Sequence, residues 1–192
     1  MSSFDRGFKT WTERSSVSLR SELGLYGHDP LPCVDLAKFL SVELLTPRDI
    51  PNLPQNVLKQ LIDIDPDGWS AVTISDGQCS TVIYNPAHKK TRQNSDIMHE
   101  LSHVIIGHEP SKMVLSADGA LVMRSFDQKQ EDEADWFSGC LILPREALLH
   151  SKRLSLSEDE IRDKYTATRS LLRMRLGVTG VNRQLQIARG RR

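Results

Sequence analysis

The sequence lacks any long apolar run. No stretch of about 18 consecutive apolar residues, the length that a membrane-spanning helix needs, occurs in the chain. Its first residues also lack the apolar core of a secretory signal peptide. These absences argue against an integral membrane protein or a secreted one, and we expect no membrane partner.

Cysteine is scarce as well. Cys33, Cys79 and Cys140 are widely spaced and odd in number, which argues against a disulfide framework. We therefore expect reduced thiols and a cytoplasmic protein. Cys140 falls in a segment with helical periodicity and is interpreted as a core residue. No internal repeat or low-complexity stretch is present.

Excess charge of one sign is absent overall but not locally. The 25 basic and 25 acidic residues balance, yet residues 152–192 contain 11 basic and 4 acidic residues. This basic tail permits three interpretations, which are packing on the core with a solvated basic face, docking of a protein partner, and weak contact with nucleic acid. The arginines available for phosphate contacts are Arg169, Arg173, Arg175, Arg183, Arg189, Arg191 and Arg192.

A His-Glu-x-x-His pattern spans residues 99–103. Residues four apart share one face of a helix, so His99 and His103 can direct both imidazoles at one metal ion. Glu100 is rotated from His99 and can reach a water on that metal as a general base. This arrangement is typical of a zinc hydrolase.

A catalytic zinc ion usually has a third protein ligand. We predict that Glu131 is this ligand and that Asp135, one turn later, accepts the free ring N–H of a ligand histidine. Glu133 lies about 200° round the helix from Glu131 and is expected to face solvent. An acidic helix start is the alternative for these carboxylates. His108 competes as third ligand, but only if the helix breaks at Gly107.

Two separated segments resemble the ImmA/IrrE family of gluzincin-type metallopeptidases. HELSHVIIGH matches the first family motif, and the second motif matches in the order and spacing of its residues. The resemblance covers roughly residues 30–150, with Asp96, Ser102 and Ser138 as mild departures. The second motif reads Glu131-x-x-Ala134-Asp135-x-Phe137-Ser138-x-x-Leu141-Ile142-x-Pro144.

The resemblance implies that His99, His103 and Glu131 bind the metal and that Glu100 is the base. It also implies a regulatory endopeptidase that cleaves a helix-turn-helix transcriptional repressor. Zinc is the expected cofactor, although Mn²⁺ or Fe²⁺ could enter the same ligand set. The alternative is a catalytically inactive module that binds a repressor or nucleic acid.

The implied fold is an α+β, zincin-like domain. We expect a small, mostly antiparallel sheet packed on helices, a metal site between two helices and a helical C-terminal extension. Three parts are predicted, namely an N-terminal helical segment (1–29), the metallopeptidase domain (30–150) and the basic helical extension (151–192).

Periodicity and turn residues predict the individual elements. Asp-Gly pairs at 76–77 and 118–119 indicate turns between strands, and Ser157-x-x-Glu160 is a capping box. The predicted helices cover 5–24, 35–40, 55–62, 93–107, 128–143 and 157–175, with a short one after Gly180. The predicted strands cover 42–45, 69–74, 81–84, 113–115 and 121–124.

Substrate contacts are harder to predict. The strand Thr81–Tyr84, just before the metal helix, could be an exposed edge that holds substrate backbone, or it could be an interior strand. Tyr84 and Arg92 are candidate substrate-binding side chains.

Overall fold

The structure is a computed structural model. It describes residues 4–75, 79–108 and 127–189, together with the two short segments 113–115 and 121–123. For these two segments and for residues 188–189 it describes the backbone alone.

Helices dominate the described part of the chain. The strands are β1 (Val42–Leu45), β2 (Ala71–Ser75), β3 (Ser80–Tyr84), β4 (Met113–Leu115) and β5 (Leu121–Met123). The helices are α1 (Phe8–Glu22), α2 (Cys33–Phe39), α3 (Gln55–Lys59), α4 (Lys90–Ile106), α5 (Gln128–Ile142), α6 (Arg145–Arg153), α7 (Glu158–Tyr165), α8 (Arg169–Thr179) and α9 (Val181–Arg189).

The main sheet has three strands in the order β1-β3-β2. β1 runs parallel to β3, and β2 runs antiparallel to it. The segment Thr81–Tyr84 therefore lies in the central strand, so the edge interpretation is wrong and the interior one is right. β2 lies at an edge instead. β4 and β5 form an antiparallel pair as predicted, whereas the two predicted Asp-Gly turns lie outside the described residues.

The core lies where α4 packs against α5 and the sheet. Met98 and Leu101 of α4 and Phe137 and Leu141 of α5 are fully buried, as is Val82 of β3. Burial of a side chain of this size contributes about 1.5–3 kcal/mol, so this contact fixes how the two helices lie. The α+β fold class is thereby confirmed.

Two buried arginines cap the end of α5. Arg20 of α1 donates to the carbonyl of Leu141 over 2.6 Å, and Arg175 of α8 donates to that of Leu143 over 2.9 Å. The hydroxyl of Ser16 donates to the carbonyl of Cys140 over 2.7 Å. The last carbonyls of a helix have no partner within it and carry partial negative charge, so these contacts tie α1 and α8 to α5.

The C-terminal region differs from the prediction of one helix over 157–175. The capping box at Ser157 and Glu160 is present and begins α7. α7 then ends at Thr166, which adopts a left-handed conformation with φ of 48°, and Thr168 caps a new helix by accepting from the N–H of Leu171. The left-handed conformation of Thr166 and the N-cap hydrogen bond of Thr168 thus interrupt a pattern that is apolar enough to continue.

None of the described helices is long and apolar enough to cross a membrane. The predicted division of the chain at residues 29 and 150 stays a prediction.

Replacing Arg20 with Met should destabilise the fold by about 2–4 kcal/mol, because charge-assisted hydrogen bonds to buried carbonyls would be lost. Burial lowers the pKa of Arg20 to about 10, so its guanidinium is charged at neutral pH. Chemical denaturation measures the change, and Arg14→Met, on the exposed face of the same helix, is the control. Equal stability of the two variants would contradict the capping role.

Candidate metal centre

Two histidines and a glutamate converge where α4 meets α5. His99 and His103 lie one turn apart on α4, and Glu131 lies in the first turn of α5. The Nε2 atom of His99 lies 3.1 Å from Nε2 of His103 and 3.2 Å from Oε2 of Glu131. The Nε2 atom of His103 lies 3.6 Å from Oε1 of Glu131.

Asp135 contacts one of these histidines. Its Oδ1 lies 2.8 Å from Nδ1 of His99. A carboxylate accepts hydrogen bonds, so Nδ1 carries the proton and Nε2 presents a lone pair to the centre. The structure thus places Asp135 beside His99, and its role as the partner of a metal-bound histidine stays a prediction.

The three converging side chains fit a divalent metal ion. Zinc bonds of about 2.0–2.1 Å at tetrahedral angles separate the ligand atoms by about 3.3 Å, close to the distances that join His99, His103 and Glu131. Lone pairs facing each other repel unless a cation lies between them. The ligand atoms of these residues all lie within 4.8 Å of one another, so they form a candidate metal-binding triad with two nitrogen donors and one oxygen donor.

Glu100 lies beside this triad but has a different partner. The hydroxyl of Thr73, on the edge strand β2, donates to Oε2 of Glu100 over 2.5 Å. Burial raises the pKa of Glu100, against the opposing effect of the Thr73 hydrogen bond. A buried carboxyl group with a raised pKa has the properties of a general acid–base group. No sequence pattern singles out Thr73, because its contact joins it to a residue 27 positions away in the chain.

The two histidines differ in their electrostatic surroundings. Burial favours neutral His99, but its hydrogen bond to Asp135 and the nearby carboxylates outweigh that effect and raise its pKa. Burial and the neighbouring rings of His99 and His108 lower the pKa of His103 to about 4. A neutral His103 has a lone pair available for a metal ion.

A cleft of about 560 Å³ opens onto this centre. His99 and Glu100 line it, and α8 provides the wall opposite them. The basic tail therefore packs on the core and borders the cleft. The remaining lining residues are Ser70 and Ala71, Ser95 and Asp96 of α4, Asp135, Ser138 and Ile142, and Thr168, Ser170, Leu171 and Met174.

Burial removes one arginine of the basic tail from those that could contact nucleic acid. Arg175 is fully buried, so the prediction that it contributes to phosphate contacts is wrong. Arg173 and Arg183 are exposed, and the guanidinium of Arg169 lies 3.4 Å from Asp159. Weak nucleic-acid contact through the remaining arginines stays a prediction, and residues 191–192 lie outside the described chain.

Neither candidate substrate-binding residue lies among the cleft-lining residues of the described chain. Tyr84 ends the central strand and packs partly buried against the core. Arg92 donates to Asp67 over 3.3 Å and to Ser70 over 3.2 Å. Because Ser70 lines the cleft, Arg92 lies near its rim. Substrate binding by either residue stays a prediction.

Glu133 and His108 lie elsewhere than the sequence suggested. Glu133 is buried rather than solvated, with 9% of the whole residue exposed, and His108 contacts it. The Nε2 atom of His108 lies 3.2 Å from Oε2 of Glu133. His108 also lies outside the converging triad, since its Nδ1 faces Nδ1 of His103 at 2.9 Å.

The departures from the family motif are accommodated locally. Ser102, where the family usually has Gly, is fully buried, and its hydroxyl donates to the carbonyl of Met98 over 2.7 Å. Asp96 lies 3.1 Å from a ring nitrogen of His88. Neither side chain displaces a residue of the triad.

Comparison with known families agrees with this site. The model of the peptidase family described as IrrE N-terminal-like domain matches residues 66–177, which is more than half of the chain. The matched part contains both α4 and α5. The chain therefore belongs to the IrrE N-terminal-like family of metallopeptidases, and the resemblance to the ImmA/IrrE family is confirmed.

A solved structure shares the fold. It is named "Mycobacterium tuberculosis transcriptional regulator" and matches with a TM-score of 0.53 at 15% sequence identity. The likeness covers 90% of this chain and 47% of that chain, so this chain spans about half the length of that protein. No curated protein sequence matches the chain.

Replacing Asp135 with Asn should weaken zinc binding by about 10–100-fold, because the carboxylate that orients His99 would be lost. Competition with a chromophoric chelator measures the dissociation constant. Asp132→Asn is the control, since the carboxylate of Asp132 accepts from Gln128 on the exposed side of α5. Unchanged affinity in Asp135→Asn would show that Asp135 does not orient His99.

Proposed function

We propose that this chain is a zinc-dependent endopeptidase that cleaves a helix-turn-helix transcriptional repressor. One observation carries the proposal. The Nε2 atoms of His99 and His103 converge with the carboxylate of Glu131, and the carboxyl group of Glu100 lines the same cleft as His99. One proposed metal ligand, His99, and the proposed general base therefore border the same cleft.

His99, His103 and Glu131 would hold the metal ion. When bound, zinc supplies Lewis-acid polarisation of a carbonyl oxygen and activation of water. Two imidazoles and one carboxylate favour zinc and leave a coordination position open, although manganese or iron could occupy the same donors. Asp135 fixes the ring of His99, so that the ligand needs little reorganisation.

Glu100 is the proposed proton carrier. It would take a proton from the water that attacks the peptide carbonyl and then deliver it to the leaving amine. Burial raises the pKa of this carboxyl group in the direction of neutral pH, which helps it both to accept and to release a proton. Thr73 donates to Oε2 of Glu100, which holds the carboxyl group beside the edge strand.

The substrate would bind along the edge strand β2. Within the described sheet, β2 pairs on one side with β3, so its other edge can pair with an extended peptide. Ala71 of β2 lines the cleft, and Thr73 of the same strand contacts Glu100. A peptide added at this edge would therefore pass beside the proposed base. α8 closes the opposite side of the cleft.

The repressor is proposed as substrate because of family membership. The ImmA/IrrE resemblance implies regulatory proteolysis of helix-turn-helix repressors, and the solved structure with the same fold is named as a transcriptional regulator. The cleft is compatible with this class of substrate, since an open groove beside an edge strand admits an extended or locally unfolded segment.

Replacing Glu100 with Gln should abolish cleavage, by at least about 100-fold, because Gln cannot accept the proton. Zinc binding should be retained, since Glu100 is not a proposed ligand. Cleavage is measured by mass spectrometry of new N-termini in a proteome-derived peptide library and in purified helix-turn-helix repressors.

Glu43→Gln on the exposed face of β1 is the matched control and should cleave as wild type does. Undiminished cleavage by zinc-loaded Glu100→Gln would exclude Glu100 as the base. Absence of cleavage by the zinc-loaded wild type would instead favour a non-catalytic binding module.

A further inference from the structure

We infer that His108 and Glu133 form a hydrogen-bonded relay that orients His103 for metal binding. This inference rests on the proposed function, because it gives His103 a metal to bind. It assigns positioning roles to two residues outside the converging triad. Both are largely buried, with 6% of the His108 side chain and 11% of the Glu133 side chain exposed.

The end of α4 brings His108 back over His103. Gly107 follows the helix in a left-handed conformation with φ of 79°, which glycine adopts without steric cost. The N–H of His108 donates to the carbonyl of His103 over 3.0 Å, as in a Schellman-type helix end. The turn places the His108 ring against the side of His103 that faces away from Glu131.

The contacts define a single order of donors. If Nε2 of His103 binds the metal, its Nδ1 carries a proton and must donate. The acceptor is Nδ1 of His108 at 2.9 Å. Nε2 of His108 then carries the proton of that ring and donates to Oε2 of Glu133 at 3.2 Å. The carboxylate of Glu133 thus determines the tautomers of both rings.

The relay also explains the burial of Glu133. A buried carboxylate needs hydrogen-bond donors. His108 serves one oxygen of Glu133, and Nζ of Lys129 lies 3.9 Å from the other. Replacing the ring of His108 would leave Nδ1 of His103 without its acceptor, and the imidazole would be free to rotate away from the metal.

Residues of α5 therefore orient both ligand histidines, one by direct contact and the other through an intervening side chain. Asp135 of α5 accepts directly from His99. Glu133 of α5 acts on His103 through the intervening ring of His108. His108 is a positioning residue rather than a ligand, because its nitrogens face His103 and Glu133 instead of the converging donor atoms.

Zinc affinity tests the relay. His108→Leu should weaken zinc binding by about 10–100-fold, the range expected for loss of an outer-shell partner. His108→Asn should recover most of the loss, because the Asn Oδ1 atom lies near the position of the imidazole Nδ1 and can accept from His103. Glu133→Gln should lower the affinity by a smaller factor. His150→Leu, on α6, is the matched control and should bind as wild type does.

The free energy of unfolding of each metal-free variant, measured in parallel, separates positioning from general stability. A second readout is the tautomer of His108 in zinc-loaded wild type, from long-range ¹H–¹⁵N spectra. The relay requires the proton on Nε2, and a proton on Nδ1 would overturn it. If His108→Leu does not fold, His108→Asn, Glu133→Gln and the tautomer decide the question.

Wild-type affinity in His108→Leu, or equal losses in His108→Asn and His108→Leu, would overturn the relay while the proposed function stands. Failure of the wild type itself to bind zinc would instead remove the proposed function and the relay with it.

Discussion

Buried guanidinium groups hold the C-terminal end of α5, and the metal centre depends on where that helix lies. Arg20 and Arg175 donate to the carbonyls of Leu141 and Leu143. A second contact of Arg175, with Glu13, joins α1 to α8. The apolar packing of α4 against α5 sets the distance between the helices, while the arginines limit sliding and rotation of α5. The first turn of α5 is thereby placed opposite the histidines.

Three acidic side chains near the start of α5 contact histidines. Glu131 converges with both histidines of α4, Asp135 contacts His99, and Glu133 reaches His103 through His108. These carboxylates would be ordinary residues of a helix N-terminus in isolation. Packing against α4 gives each one a different partner, because their side chains leave α5 in different directions.

The sequence predicts the parts of this site that follow local periodicity. His99 and His103 are four residues apart, and a helix necessarily places them on one face. Glu131 and Asp135 repeat the same spacing on α5. The position of Glu133 on α5 predicts a solvated side chain, because helical periodicity cannot predict that a residue beyond the end of α4 packs on it. Gly107 marks that return, but only its left-handed conformation brings His108 onto His103.

Errors elsewhere in the fold have similar causes. Strand pairing is non-local, so the pattern of Thr81–Tyr84 fits an edge or a central strand equally well, and β1 decides the matter by pairing in parallel with β3. The apolar pattern continues through Thr166 and Thr168, but the helix does not. Thr166 adopts a left-handed conformation and Thr168 caps a new helix, and apolar periodicity predicts neither. The burial of Arg175 depends on contacts with α1 and α5 that lie far away in sequence.

The proposed activity requires that His99, His103 and Glu131 hold one metal ion. The most direct measurement is elemental analysis of the chain purified without chelator, alongside His103→Ala and Glu131→Ala variants that remain folded. We expect about one zinc ion per wild-type chain and a large loss in both variants. Absence of metal from wild-type protein after addition of zinc, or full retention of zinc by the Glu131→Ala variant, would contradict the account.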